Sequence, residues 1–181
     1  MRSVVIYESM YGNNHRVAEL IGSALEECGS VIVVHVSKAT DELVGSADLV
    51  VVGGPTHVRS LSTRASRASA LEAAQKSSIN CPDAPLSMDP HWQAAGIRDW
   101  FRTSPPSHGQ FAAAFDTRLL ARSLLTGRAS RVISRRLARH GYELIAEPES
   151  FLVDSQTRLL GSEAERATHW ARGLATSILH A

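Results

Sequence analysis

Short apolar segments alternate with a helical pattern along the first 55 residues, and this alternation constrains the fold most. The segments 3–8 (SVVIYE), 31–36 (VIVVHV) and 49–52 (LVVV) are continuously apolar and rich in β-branched residues, which predicts buried strands. Over residues 17–28 the apolar positions follow the i, i+3, i+4, i+7 spacing of one helix face. This order favours a parallel sheet with right-handed crossovers and helices on both faces.

The rest of the chain continues the alternation less regularly. Segments 60–75 and 128–140 have helical periodicity. Residues 110–115 (QFAAAF) predict a fourth strand, although alanine is a poor strand former. Residues 142–153 predict a fifth strand. We therefore expect five parallel strands in a three-layer α/β/α domain.

The remaining features concern the insert and the end of the chain. Residues 77–108 are rich in proline and are expected to form a loop with one short helix that carries Trp92 and Trp100. A last helix is expected to begin at Ser162, where Glu165 would complete a capping box. No repeat or linker interrupts the sequence, so we expect a single domain over residues 1–181.

Composition and charge exclude several classes of protein. Hydrophobic residues make up 44% of the chain, and the net charge is +1, which predicts no strong attraction to nucleic acid or to an anionic membrane. No apolar run approaches the ~18 residues that cross a bilayer, so we expect no membrane partner and a cytoplasmic location. Cys28 is expected to be buried on the first helix, and Cys81 lies in the predicted loop. Two cysteines suit a reducing compartment.

The loop after the first strand is rich in hydroxyl and amide side chains. It reads ESMYGNN over residues 8–14 and leads directly into a helix. Helix N-termini carry unpaired N–H groups and a partial positive charge, so a phosphate binds there readily. Ser9, Asn13 and Asn14 could add side-chain donors, and Gly12 lets the backbone approach a ligand closely. The alternative is that Asn13 or Asn14 only caps the helix.

The motifs SMYGNN (9–14) and GGPTH (53–57) resemble the phosphate loop and the ring-bordering loop of the flavodoxin family. The resemblance implies a flavodoxin-like, doubly wound five-stranded parallel sheet of order 2-1-3-4-5. It also implies that FMN binds where the ends of strands one, three and four meet. The candidate cofactor-binding residues are Ser9, Met10, Tyr11, Gly12, Asn13, Asn14, Pro55, Thr56, His57, Val58, Phe115, Asp116, Thr117 and Arg118.

The sequence departs from the family pattern around the flavin ring. Asn14 stands where a third hydroxyl residue is usual. Classical flavodoxins place the ring between a Trp and a Tyr, whereas the second loop here offers His57, which could stack on the ring or be an exposed loop residue. Trp92 or Trp100 could cover the ring or could be packing residues. We do not find a hydrolase nucleophile motif, a phosphate-binding Walker motif or a metal-ligand spacing.

These features leave several functions open. The resemblance implies one- or two-electron transfer through FMN, with a redox partner protein or NAD(P)H as the partner. A near-neutral chain that is rich in arginine fits an NAD(P)H-dependent reductase better than a low-potential carrier, and Arg118 beside the flavin would raise its potential. A flavodoxin-fold binding or regulatory module that has lost FMN is the alternative. A receiver domain is a third reading, but Lys38 and Lys76 are not placed for its chemistry. The electron donor and the oligomeric state stay open.

Overall fold

The computed structural model describes residues 1–56, 61–80, 85–120 and 127–180. Its strands are β1 (Arg2–Tyr7), β2 (Ser30–His35), β3 (Leu49–Pro55), β4 (Phe111–Leu119), β5 (Glu143–Leu144) and β6 (Glu149–Val153). They form one parallel sheet in the order β2-β1-β3-β4-β5, with β6 also paired to β4, which confirms the predicted 2-1-3-4-5 topology.

The fifth strand is interrupted, so the expectation of one continuous strand over residues 142–153 is wrong. β5 pairs with Phe111 and Ala112 at the start of β4, and β6 pairs with the second half of the same strand. Pro148 lies between the two pieces and cannot donate a backbone N–H to the ladder. Six strands therefore fill five positions in the sheet.

Helices cover both faces of the sheet. They are α1 (Asn13–Leu25), α2 (Asp41–Gly45), α3 (Arg64–Asn80), α4 (Ile97–Thr103), α5 (Ala129–Arg139) and α6 (Gly161–Leu179). α1 and α6 pack on one face and enclose the first core, and α2, α4 and α5 supply buried residues to the second core on the other face. The side chains of β1 alternate accordingly: Val5 and Tyr7 belong to the first core, and Val4 and Ile6 to the second. No helix in the described part of the chain is long and apolar enough to cross a membrane.

Four local predictions are wrong. The short helix of the insert, α4, begins at Ile97, so it carries Trp100 but not Trp92. Cys28 is exposed because α1 ends at Leu25 and continues as a 3₁₀ turn, whose three residues per turn rotate the thiol away from the apolar stripe. α3 extends to Asn80, so the first residues of the predicted loop are helical. α6 begins at Gly161 with Leu160 as its N-cap, so Ser162 lies inside the helix and the expected Ser162–Glu165 capping box does not form.

Candidate functional site

The N-terminus of α1 is free of a side-chain cap among the described residues. Its N-cap is Gly12, whose φ of 82° lies in the left-handed region that favours glycine. Asn13 and Asn14 follow this residue inside the helix, so the alternative in which one of them caps the helix is wrong. The first N–H groups of a helix have no intrahelical acceptor, and here no side chain of the described residues takes that role. The uncapped turn suits an anion.

A cavity of about 180 Å³ lies beside this turn. It brings together the loop after β1, the end of β3 and the end of β4, which are far apart in the sequence. The loop between β6 and α6 closes the cavity. Its described lining residues are Ser9, Met10, Tyr11, Asn13, Asn14, Pro55, Thr56, Thr117, Arg118, Leu119, Val153 and Thr157.

Two lining residues carry buried polar atoms without a hydrogen-bond partner among the described residues. Ser9 is 1% exposed, and its Oγ is unpaired. Asn14 is equally buried, and its Oδ1 is unpaired. Buried polar atoms are nearly always hydrogen-bonded, since an unmade bond costs about 1–3 kcal/mol. The Ser9 hydroxyl can donate to an anion in the cavity, whereas the Asn14 oxygen can only accept.

The other residues of this loop are held by distant segments. The Asn13 Nδ2 donates to the Thr157 carbonyl at 2.8 Å, and the Tyr11 hydroxyl donates to the Ala70 carbonyl in α3 at 3.0 Å. The buried Met10 accepts a 2.7 Å hydrogen bond from the Asp89 N–H through its carbonyl. Burial raises the pKa of Tyr11 above its ordinary value. The loop is therefore positioned by tertiary contacts before any ligand binds.

The third predicted segment has different bounds and roles. β4 continues to Leu119, so residues 115–118 belong to a strand and not to a loop. Phe115 is fully buried and packs against Phe151 and Trp170 in the first core. Phe115 points into the core because successive strand residues point to opposite faces of the sheet. Thr117 and Arg118 are the two residues of the predicted segment that line the cavity.

Asp116 and Thr56 anchor α5. The Asp116 Oδ2 accepts a 2.7 Å hydrogen bond from the Ser130 N–H, and the Thr56 Oγ1 accepts one from the Ala129 N–H at 2.9 Å. Both donors belong to the first turn of the helix. Burial raises the pKa of Asp116, and the Ser130 N–H opposes the shift. Asp116 thus has a structural role that its place in the motif did not reveal.

Other residues lie outside the prediction or outside the described structure. His57 and Val58 fall outside the described residues. Leu119, Val153 and Thr157 line the cavity but were missed. The fifth strand position also ends at this edge of the sheet. The polar turn that follows it could therefore have been predicted from the sequence to border the cavity. Thr157 has a φ of 59°, which is uncommon for a residue other than glycine.

A cluster of aromatic and titratable side chains lies where the ends of β1 and β2 meet the first turn of α1. Tyr7 stacks on His15 with ring centroids 4.4 Å apart, and His35 stacks on His91 at 5.1 Å. His35 is 3% exposed and its Nδ1 lies 2.9 Å from the Ser37 Oγ, so the ring is both packed and hydrogen-bonded. Burial, with help from the nearby His91, lowers the pKa of His35 to about 4. The described residues contain no group of metal-ligating side chains suited to an ion.

Comparison with known proteins identifies the architecture. No protein-family model and no curated protein matches the sequence. A flavodoxin from the domain Archaea superposes with a TM-score of 0.65 at 16% identity, over 99% of this chain and 100% of its own. Oxidised flavodoxin 1 from Bacillus cereus gives 0.64 at 14% identity, over 97% and 98%. A WrbA-like flavodoxin from Agrobacterium tumefaciens gives 0.59 at 17% identity, over 99% of each chain. This chain therefore has the flavodoxin-like fold.

Proposed function

We propose that this chain binds FMN beside the N-terminus of α1 and acts in electron transfer or in NAD(P)H-dependent reduction. The observation that carries the proposal is the unpaired Ser9 hydroxyl in the cavity next to the uncapped helix. The solved structures that share the fold include flavodoxins, which supports the same assignment.

The cavity is suited to the phosphate end of the cofactor. The free N–H groups of the first turn of α1 would donate to the phosphate, and the Ser9 hydroxyl would add a donor from the loop. An added Cβ at Gly12 would meet no atom within 4 Å, so the backbone is open to close approach. The helix dipole favours negative charge at this place, and no metal ion is needed.

The size of the cavity bears on how much of the cofactor it encloses. Its volume of about 180 Å³ is smaller than the volume of clefts that bury a whole drug-sized ligand, which is about 300–1,000 Å³. We assign the phosphate and its chain to the enclosed part and the ring to the rim. Bound FMN supplies one- or two-electron redox chemistry, which the protein tunes. Arg118 lines the cavity, and its positive charge would stabilise electrons added to the cofactor and raise the reduction potential.

A binding module without cofactor is the second candidate. Tyr11 is the only aromatic residue among the described residues that line the cavity. Trp100, which could have covered the ring, is buried against Phe101 in the second core, with ring centroids 4.9 Å apart. A wall with few aromatic side chains is less suited to stacking on a flavin, and this observation favours a protein that has lost FMN.

Titration of the apoprotein with FMN and with riboflavin, which lacks the phosphate, decides between the two candidates. We expect the fluorescence of FMN to be quenched on binding. We also expect FMN to bind at least about 100-fold more tightly than riboflavin, since at least two charge-assisted hydrogen bonds would be lost with riboflavin. Equal affinity for both would refute the phosphate site, and no binding of either would favour the cofactor-free module. Anaerobic reduction of the bound FMN by NADPH or NADH would then separate a reductase from a carrier that needs a protein donor.

A further inference from the structure

A second and larger cavity, of about 680 Å³, lies where the start of α3 meets α4. Its described wall contains four arginines and a single aspartate, in a chain whose net charge is only +1. Two of the arginines lie one turn apart on α3 and two lie one turn apart on α4, a spacing that places each pair on one helix face. The charged lining residues are Arg64, Arg67, Arg98, Asp99 and Arg102.

Arg67 is held in place by a buried carboxylate behind the wall. It is 7% exposed, and its NH1 lies 3.8 Å from the Oε1 of Glu8, which is 3% exposed. The same nitrogen donates to the Ser62 Oγ at 3.2 Å, and Ser62 in turn donates to Glu8. The second Glu8 oxygen accepts a 2.8 Å hydrogen bond from the Ile97 N–H. Glu8 therefore neutralises Arg67 and orients it without lining the cavity.

The positive charges of the other three arginines are less fully balanced by carboxylates. Arg98 donates to the carbonyls of Leu61 and Ser62 at 3.1 and 3.2 Å, which orients the guanidinium but supplies no counter-charge. Arg64 is exposed and forms no ion pair with a described residue. Arg102 lies 3.4 Å from Asp99, and that carboxylate is shared with Arg67 at 4.0 Å. The wall thus keeps a surplus of positive charge.

The surplus extends beyond the cavity along α5. Arg136 packs its guanidinium 5.6 Å from the centre of the Phe101 ring. Burial lowers the pKa of Arg136, and the positive charges of Arg98, Arg102 and Arg139 lower it further. Like charges that the fold holds together are relieved by a bound anion.

We propose that this cavity binds a small anion with two or more phosphate groups, of the kind found in the diphosphate of a nucleotide. Guanidinium groups pair with phosphate oxygens in a bidentate manner, and two of them are already oriented by the protein. The volume falls in the range of about 300–1,000 Å³ that is typical of small-ligand clefts. A concave wall with fixed arginines favours such a ligand over an acidic protein surface.

The arginine-lined cavity is linked to the proposed FMN site through Glu8 and α3 but does not depend on that site. Glu8, which pairs with Arg67, directly precedes Ser9, and α3 carries both Arg67 and Ala70, whose carbonyl accepts a hydrogen bond from Tyr11. The proposal stands whether or not the first cavity takes FMN, because none of its charged wall residues lines that cavity.

Calorimetric titration of the full chain with inorganic pyrophosphate at low salt tests the proposal. The variant Arg64→Gln/Arg102→Gln removes two exposed charges and leaves the oriented Arg67 and Arg98 in place. We expect it to weaken pyrophosphate binding at least about tenfold, the loss of one charge-assisted hydrogen bond or more. The matched control Arg172→Gln removes an exposed arginine from α6, on the other face of the sheet, and should change the affinity less than about twofold.

Further arms separate this site from other binding modes. Ser9→Ala should weaken pyrophosphate binding less than Arg64→Gln/Arg102→Gln does, whereas an equal or larger loss would place the anion in the first cavity and overturn the proposal. Orthophosphate should bind more weakly than pyrophosphate. The proposal is refuted if millimolar pyrophosphate does not bind, if the control weakens binding as much as the double variant, or if polyglutamate binds more tightly and competes. Circular dichroism of each variant establishes that it is folded.

Discussion

Replacing Ser9 by alanine should stabilise the cofactor-free protein and at the same time weaken FMN binding. The Ser9 Oγ is buried and has no hydrogen-bond partner among the described residues. A buried unpaired polar group costs about 1–3 kcal/mol, and alanine removes the hydroxyl with little change in volume. We therefore expect the free energy of unfolding of the apoprotein to rise by about 1 kcal/mol or more. For a chain of this length, each kcal/mol raises the Tm by roughly 2–4 °C.

Binding should change in the opposite direction. If the Ser9 hydroxyl donates to the phosphate, its loss removes one charge-assisted hydrogen bond of about 1.5–3 kcal/mol. The Kd for FMN should then rise roughly 10- to 150-fold. Riboflavin affinity should hardly change, because riboflavin has no phosphate for the hydroxyl to reach.

Ser3, near the start of β1, provides a matched control. Its Oγ is also buried and unpaired among the described residues, but it lies at the other end of β1. Ser3→Ala should stabilise the apoprotein by a similar amount and leave FMN affinity unchanged. Urea unfolding and fluorescence titration measure the two quantities. The reasoning fails if Ser9→Ala destabilises the apoprotein, or if the two variants bind FMN equally well.

Three further predictions concern stability. An added Cβ at Gly53 would lie 1.9 Å from the ring of the buried Phe115, so Gly53→Ala should cost about 3 kcal/mol or more in urea unfolding. Glu8→Gln leaves the buried Arg67 without its carboxylate and should cost about 3 kcal/mol in the same assay. His35, with its pKa lowered to about 4, stays neutral in the folded chain while the unfolded chain takes up a proton below about pH 6.5. The free energy of unfolding should therefore fall between pH 6.5 and 4, by at most about 1.4 kcal/mol per pH unit.

Each of these predictions has a result that would contradict it. Gly173→Ala in α6, where an added Cβ meets no atom within 4 Å, should be neutral or stabilising, and an equal loss at both glycines would remove the steric explanation. A Glu8→Gln variant within about 1 kcal/mol of the parent would mean that Arg67 is not dependent on the carboxylate. If the free energy of unfolding of His35→Gln falls with decreasing pH as steeply as that of the parent, other groups cause the acid sensitivity.

The first half of the fold could be predicted because its signals are local. The runs that become β1, β2 and β3 are apolar and β-branched, and α1 shows an uninterrupted helical period, so neighbouring residues specify each element. Parallel strands joined by helices leave few possible topologies, and the resemblance to the flavodoxin family implied which of these orders the sheet has. The polar loop after β1 was predictable because strand, loop and helix are adjacent in the chain.

The end of β4 and the fifth strand position could not be predicted in this way. Residues 116–119 have no apolar pattern of their own and are strand because β3 and β6 pair with them on either side. Pairing with distant strands, and not propensity, therefore decided that Phe115 is core and that Asp116 anchors a helix. The break at Pro148 is encoded locally, but the sheet can accommodate it only because β4 is long enough to pair with both β5 and β6.

By itself the sequence determined the strand–helix alternation and the polar loop after β1, because these depend on contacts between neighbours, and its resemblance to the flavodoxin family implied the order of the sheet. Only the tertiary structure decided which polar atoms are buried without partners and which arginines gather around one cavity. Arg64 and Arg67 on α3 meet Arg98 and Arg102 on α4 across some thirty intervening residues. Charge convergence of this kind depends on how two helices pack, and no periodicity within either helix encodes it.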